Sequence, residues 1–490
     1  MTPAEITPGS PAAPAPTADF AKSRPARWVT VALLLAMHAL ALANAVLHPP
    51  EIAYDAGAHL SYAVVLSEGR LPTRAETYEY FSPPLAYVLP ALTLAAGWSH
   101  EASAKAAQLL NVVLSLGIAL GLLRLCRVAA PAEPWLGPCA LGLLAMLPVY
   151  YKSLAQPIRS EVWLALLAVL LAWRLVLVVA AKQLTARHAL LLVLLGGGLL
   201  LARQFGVFVL VAAGLFLLAG VARRRELRRP ALLAIAALAL GAFTLAGWFY
   251  AHLFLAYGSP AAYARQSPGR GLRNQEPSFY FGTGDGQLFT LPLRPAFPNQ
   301  LLPILYADTW GDYWQYFLVW GRTPHRVLAG RNLEGTLHRV PERVVTNRSA
   351  MGRYLGRVAR LALLPSVVLI AGFCYGFAAL ARWMRRASSR DAAAALAALI
   401  VAVTAAGYFY FLVQYPARPL GTTIKATYVL HAFPFLALLG GYVLVALRQW
   451  RRTAWRLVVA ALVAVGLFAA GAMVTRYPAA AGAAVAVAHR

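Results

Sequence analysis

Long apolar runs alternate with short basic connections along most of this chain. Runs near 28–47, 103–125, 135–150, 160–181, 187–202, 205–221, 230–256, 359–381, 392–413, 427–447 and 455–474 predict eleven membrane-spanning helices. The two runs inside 187–221 have the thinnest boundary, since only Arg203-Gln204 divides them. Two polar intervals are long. The first, 48–102, holds semi-apolar stretches near 56–67 and 84–97 that are too short to span and read as helices lying in the interface. The second, 257–358, is rich in Gly, Pro, Arg and aromatics and reads as a folded cap, because loops of that length are usually functional. The expected organisation is a disordered tail (1–26), an N-terminal transmembrane module (27–256), a large outer loop (257–358) and a C-terminal transmembrane module (359–490).

Composition agrees with the pattern. Of 490 residues, 60% are hydrophobic and 13% charged, against about 25% charged in soluble domains. Mean hydropathy is +0.61. The fold class expected is an all-α polytopic membrane protein. A formal net charge of +26 would suggest nucleic acid in a soluble protein. Here the basic residues gather in alternate connections, around Arg124/Arg127, Lys182/Arg187, Arg223–Arg229, Arg382–Arg390 and Arg448–Arg456, on the side of the basic tail. That side is expected to be cytoplasmic, and no nucleic-acid partner is called for. Most acidic residues fall in the opposite connections, a bias the orientation rule does not require. Cys126, Cys139 and Cys374 form no CxxC or zinc spacing, and no Walker loop, Rossmann fingerprint or nucleophile elbow occurs.

The candidate chemistry therefore lies on the outer side. Asp55 follows the first span, in Tyr54-Asp55-Ala56-Gly57-Ala58-His59. A carboxylate at a membrane boundary is costly to desolvate, and partial desolvation can raise its pKa toward that of a working base. Two readings stand: a catalytic base, or a cap on the interfacial helix beginning near Ala56. His59, four residues on, could orient Asp55 or meet a phosphate. A second connection, Tyr151-Lys152-Ser153-Leu154-Ala155-Gln156-Pro157-Ile158-Arg159-Ser160-Glu161, sets Glu161 at a helix start, as a second catalytic or metal-binding acid or as a group favoured by the helix dipole. Arg159 and Arg203 are candidates for a phosphate, or for snorkelling and turn roles. Tyr306-Ala307-Asp308-Thr309-Trp310-Gly311-Asp312 sets two acids among aromatics, suiting carbohydrate or, equally, an interfacial belt. Before the penultimate span, Arg418 and Lys425 place positive charge on the outer face, against the orientation trend.

Three parts of the first outer loop occur in a telling order: the Tyr54-Asp55…His59 segment, then Leu66-Ser67-Glu68-Gly69-Arg70-Leu71-Pro72, then Tyr80-Phe81-Ser82-Pro83-Pro84-Leu85-Ala86-Tyr87. Together they resemble the GT-C class of membrane glycosyltransferases, especially relatives of the dolichyl-phosphate-mannose protein mannosyltransferases and the bacterial aminoarabinose transferases. The chain departs from them at Ala56, where many members carry a second acid, and at Ser82, where Gln or Lys often precedes the two prolines. The resemblance implies a GT-C-like bundle in a bacterial inner membrane, with chemistry on the outer face. It implies a polyprenyl-phosphate sugar donor and a lipid, glycan or protein acceptor. Asp55 is then the base, with Glu161 as a second acid. Tyr54, His59, Arg159, Arg203, Lys425, Arg418, Asp308, Trp310 and Asp312 are the substrate-binding candidates. No cofactor is required, and a divalent cation is compatible with the acids. A lipid or polysaccharide flippase would instead place acids and broken helices near mid-membrane. A non-enzymatic assembly factor would need no aligned acids and bases.

Overall fold

The computed structural model describes residues 23–263, 271–318, 348–385, 388–415 and 421–476. Most of the predicted tail and Arg418 lie outside the described residues. The first half runs α1 (Arg24–Leu47), α2 (Ala56–Ser67), α3 (Val88–Ala95), α4 (His100–Ala129), α5 (Leu136–Ala145), α6 (Pro148–Ala155), α7 (Ser160–Ala181), α8 (Ala186–Ala202) and α9 (Gly206–Arg223). It continues through α10 (Arg225–Gly241), a π-helical turn and α11 (Gly247–Tyr257). The long interval 257–358 contributes α12 (Pro277–Phe281), α13 (Leu301–Trp310) and the start of α14 (Arg348–Leu361). Then come α15 (Leu363–Arg385), α16 (Ser389–Gln414), α17 (Phe433–Trp450) and α18 (Arg452–Ala469). No strand occurs among the described residues, so this is an all-α integral membrane protein.

Among the described residues, nine helical runs are long and apolar enough to cross a membrane, or ten if one bent pair counts as a span. The eleven expected therefore shrink at two places, each with a local cause. The run at 135–150 is broken between α5 and α6, which bend by 65° where Pro148 opens α6. Proline has no N–H to continue the preceding helix. The run at 187–202 forms α8, 17 residues long and short for a span. It ends at Arg203, whose backbone is extended.

Polar side chains inside the bundle serve helix ends that lipid could not satisfy. On α4, Gln108 donates to the carbonyls of Ala155 (2.5 Å) and His48 (3.2 Å), and Asn111 donates to Gln156 (2.8 Å). Lys105 donates to the carbonyls of Ala45, Val46 and His48. Small residues set the tightest packing. A Cβ on Gly241 would lie 1.8 Å from the Val193 carbonyl oxygen, so α8 and α10 touch backbone to backbone. At the arginine-rich end, Lys182 pairs with Glu226 (3.6 Å), Arg382 with Asp391 (3.0 Å) and Gln449 with Glu133 (2.5 Å). The opposite end gathers the α1–α2 loop, the starts of α7 and α9, the end of α16 and the turn before α17.

Candidate active site

At that second end, a cleft of about 420 Å³ opens between the first loop, the α8–α9 turn and the approach to α17. Asp55, Tyr78, Glu79, Arg203, Lys425 and Tyr428 line its polar side. Phe81, Phe205, Tyr263, Phe411 and Tyr415 line an aromatic side.

Asp55 precedes α2 in the left-handed region (φ 57°), and its side chain makes no capping bond. The helix-cap reading therefore fails. Left-handed backbone is unusual for a non-glycine residue, though Asp tolerates it better than most. The conformation directs the carboxylate outward. Lys425 Nζ donates to Oδ2 at 2.8 Å, across 370 residues of sequence, and the Tyr78 hydroxyl donates to Oδ1 at 2.7 Å. The Asp55 side chain is 30% exposed and that of Lys425 9%. Burial works against both charges, but each offsets it for the other. Lys425 and the Tyr78 bond hold the Asp55 carboxyl well below the usual carboxylate range. Asp55 likewise holds the Lys425 ammonium above its ordinary value. The ammonium also sits 4.8 Å from the Tyr54 ring centre and 5.3 Å from that of Tyr428.

Arg203 is the second cation. Its guanidinium lies 2.8 Å from Glu161, 2.8 Å from the Ser160 hydroxyl and 4.7 Å from the Tyr428 ring centre. The Glu161 contact is ionic; the hydrogen bond from that nitrogen goes to Ser160. Burial depresses the guanidinium, and Glu161, with Tyr428, Glu79 and Tyr87 behind it, more than restores it. Beside it, Gln204 donates to the carbonyls of Phe81 (3.0 Å) and Ala261 (2.9 Å), fixing the turn against the first loop.

The remaining candidates form a closed layer next to this cleft. Asp308 is fully buried and receives Lys152 Nζ, the Tyr54 hydroxyl (3.1 Å) and the Ala426 N–H (2.7 Å). Asp312, also fully buried, accepts the N–H groups of Tyr316, Phe317 and Leu318. Arg159 donates to the Tyr54 carbonyl, and Trp310 is buried in the core. His59 turns to the Tyr87 hydroxyl at 2.7 Å, and burial, with Arg159 next, pushes its pKa down to about 3. Thus Asp55, Arg203 and Lys425 meet at the cleft, while Glu161 reaches it only through Arg203. Tyr54, His59, Arg159, Asp308, Trp310 and Asp312 do not line it; Tyr54, His59, Asp308 and Asp312 are hydrogen-bonded inside the protein, while Arg159 keeps a buried Nε without a partner.

Sequence reasoning passed over Tyr78, Glu79 and the aromatic side. Glu79 precedes Ser82-Pro83-Pro84 by three residues, and the Ser82 hydroxyl donates to its Oε2 at 2.6 Å. The usable signal was that spacing within an already suspicious loop. Among the described residues, no three His, Cys, Asp or Glu side chains converge as a metal site.

No family model and no curated protein matches the chain. Its fold is similar to solved membrane enzymes. One is the archaeal oligosaccharyltransferase AglB from Archaeoglobus fulgidus, in complex with an inhibitory peptide and a dolichol-phosphate, at 14% identity, with 92% of this chain and 57% of that one covered and a TM-score of 0.49. Another is the Archaeoglobus fulgidus oligosaccharyltransferase in complex with Zn and sulfate, at 13% identity, 90% and 53% coverage and a TM-score of 0.48. A third is ArnT from Cupriavidus metallidurans bound to undecaprenyl phosphate, at 15% identity, 85% and 77% coverage and a TM-score of 0.35. The chain spans little more than half the length of the two oligosaccharyltransferases. The residue roles below rest on the cleft's own geometry.

Proposed function

We propose that the protein is a glycosyltransferase that moves a sugar from a polyprenyl-phosphate donor to an acceptor hydroxyl. The reaction takes place in this cleft, on the extracytoplasmic face of a bacterial inner membrane. The observation that carries the reading is the Asp55–Lys425 pair, a carboxylate and an ammonium 2.8 Å apart that line an open cleft at one end of the helix bundle. The motif order in the first loop supports it independently.

The chemistry follows from the arrangement. The acceptor oxygen attacks the anomeric carbon as the bond from that carbon to the phosphate oxygen breaks. The electron pair leaves with the phosphate, and the hydroxyl proton passes to Asp55. A single displacement of this kind inverts the anomeric centre. Lys425 and Arg203 stabilise the charge that develops on the phosphate. At rest, Asp55 is a weak base because Lys425 neutralises it. When the phosphate draws the ammonium away, burial dominates and raises the Asp55 pKa, so the base strengthens only once a donor is bound. The aromatic side offers flat faces for sugar CH surfaces.

The test is purified protein assayed with a panel of radiolabelled polyprenyl-phosphate sugars, wild type against Asp55→Asn. Transfer from at least one donor that collapses in the variant is expected. Undiminished transfer by Asp55→Asn would overturn the assigned base, and no transfer from any donor would overturn the reading.

A further inference from the structure

Charge pairing in and around the cleft leaves one carboxylate over. Asp55 is matched by Lys425 and Glu161 by Arg203, each at 2.8 Å. Glu79 lines the same cleft and has no cation within ion-pair distance among the described residues; the Ser82 hydroxyl on Oε2 is its one side-chain partner. The two cations are therefore balanced before any ligand enters. A phosphate adding its negative charge would meet a carboxylate with no ion-pair partner among the described residues, and like charges at close range in a poorly solvated site repel strongly unless one gives way. Protonation removes that repulsion and turns Glu79 into a hydrogen-bond donor, the complement of a phosphate oxygen.

We propose that the cleft binds the donor's phosphate group together with a proton, and that Glu79 carries this proton and donates it in a hydrogen bond to the phosphate. The inference rests on the polyprenyl-phosphate reading. No covalent bond changes: a proton from solvent joins the carboxylate, and an O–H···O contact to the phosphate forms. The surroundings favour this. Asp55 and Tyr78 face Glu79 from the same loop, Tyr62 from α2, Tyr87 from the turn before α3, Arg203 from the α8–α9 turn, and Lys425 and Tyr428 from the approach to α17. Burial first, and the Asp55 charge second, push the Glu79 carboxyl upward. The Ser82 hydroxyl, Arg203 and Lys425 pull the other way without cancelling the rise.

The test uses full-length protein and methyl farnesyl phosphate, a diester whose single charge does not titrate. Calorimetric titration near pH 8, in two buffers of different ionisation heat, counts protons taken up on binding. Wild type should take up as much as about one proton per ligand, and its affinity should fall by about tenfold per pH unit once Glu79 is ionised in the free protein. Glu79→Gln should bind with no proton uptake and a flat pH profile, because the amide donates at every pH. Ser82→Ala should move the fall in affinity to higher pH, since the lost hydroxyl favoured the ionised carboxylate. This second variant carries the test should Glu79→Gln fail to fold. Binding without uptake in wild type, uptake retained in Glu79→Gln, or an unshifted profile in Ser82→Ala would each overturn the role of Glu79 and leave the donor reading standing. Absence of binding by wild type would remove both.

Discussion

Two carboxylate–ammonium pairs lie on either side of Tyr54, and they differ in one respect. Lys152–Asp308 is closed: the side chains are 1% and 0% exposed, and Asp308 also holds the Tyr54 hydroxyl and the Ala426 N–H. Asp55–Lys425 is open: its side chains are 30% and 9% exposed and border a cavity. The same residue chemistry thus serves two purposes. A sealed pair with every partner satisfied joins α6 to α13 and gives a ligand no access. A pair with one side facing a cleft can exchange a partner. The open pair is also the less completely bonded, which leaves Lys425 free to be recruited by a phosphate.

The contrast breaks most visibly with Asp308→Ala. Leaving Lys152 buried without its partner should cost about 3–5 kcal/mol, seen as a large drop in the thermal unfolding midpoint in detergent. Asp55→Asn should do the reverse. Transfer should fall by about a hundred- to ten-thousandfold, as expected for loss of a general base, while the unfolding midpoint drops much less than in Asp308→Ala. If both variants unfold alike, the open pair is structural and the distinction fails. Lys425→Met comes next: affinity for methyl farnesyl phosphate should weaken by about tenfold, or about 1.4 kcal/mol, by the same calorimetry. A comparable loss in Lys152→Met, at equal folded fraction, would contradict the closed layer's isolation.

The smallest effect concerns pH. The Asp55 carboxyl is lowered in the folded state, so its contribution is present above the unfolded carboxylate value of about 3.9 and is lost as pH falls through the lower folded value. Lys425 is raised, so its contribution is present below about 10.4 and is lost as pH rises through the higher folded value. The pair should therefore stabilise evenly between roughly pH 4 and pH 10. The unfolding midpoint of wild type, less that of an Asp55→Asn/Lys425→Met double variant, should stay constant across that window. A pH-dependent difference would mean that the pair is not ionic in the folded protein.

Much of this was legible in the sequence because it depends on local pattern. Apolar runs of span length announce helices, arginine-rich connections announce which ends lie together, Asp55 stands out as an acid just past the first span, Arg203 as charge between two apolar runs, and Lys425 as positive charge against the orientation trend. The two misread spans failed at Pro148 and Arg203, where a local break outweighed average hydrophobicity. The aromatics around Trp310 suited carbohydrate or an interfacial belt; Trp310, Tyr313 and Trp314 are buried in the core. Periodicity cannot say which face of a short loop helix turns inward, and burial of Asp308 depends on Lys152 arriving from 156 residues away.

By itself, then, the sequence determined that this is a helical membrane protein, and it nominated the residues that could do chemistry at the end opposite the arginine-rich connections. Only the tertiary structure decided their partners. It set Lys425 on Asp55, gave Arg203 to Glu161, closed Asp308 and Arg159 away, and brought Glu79 to the cleft with no ion-pair partner among the described residues. The reason is physical. Helix formation follows short-range patterns along the chain, whereas an ion pair forms only where the packing of separate helices leaves two side chains within about 4 Å of each other. That distance is a property of the whole bundle and of no single segment.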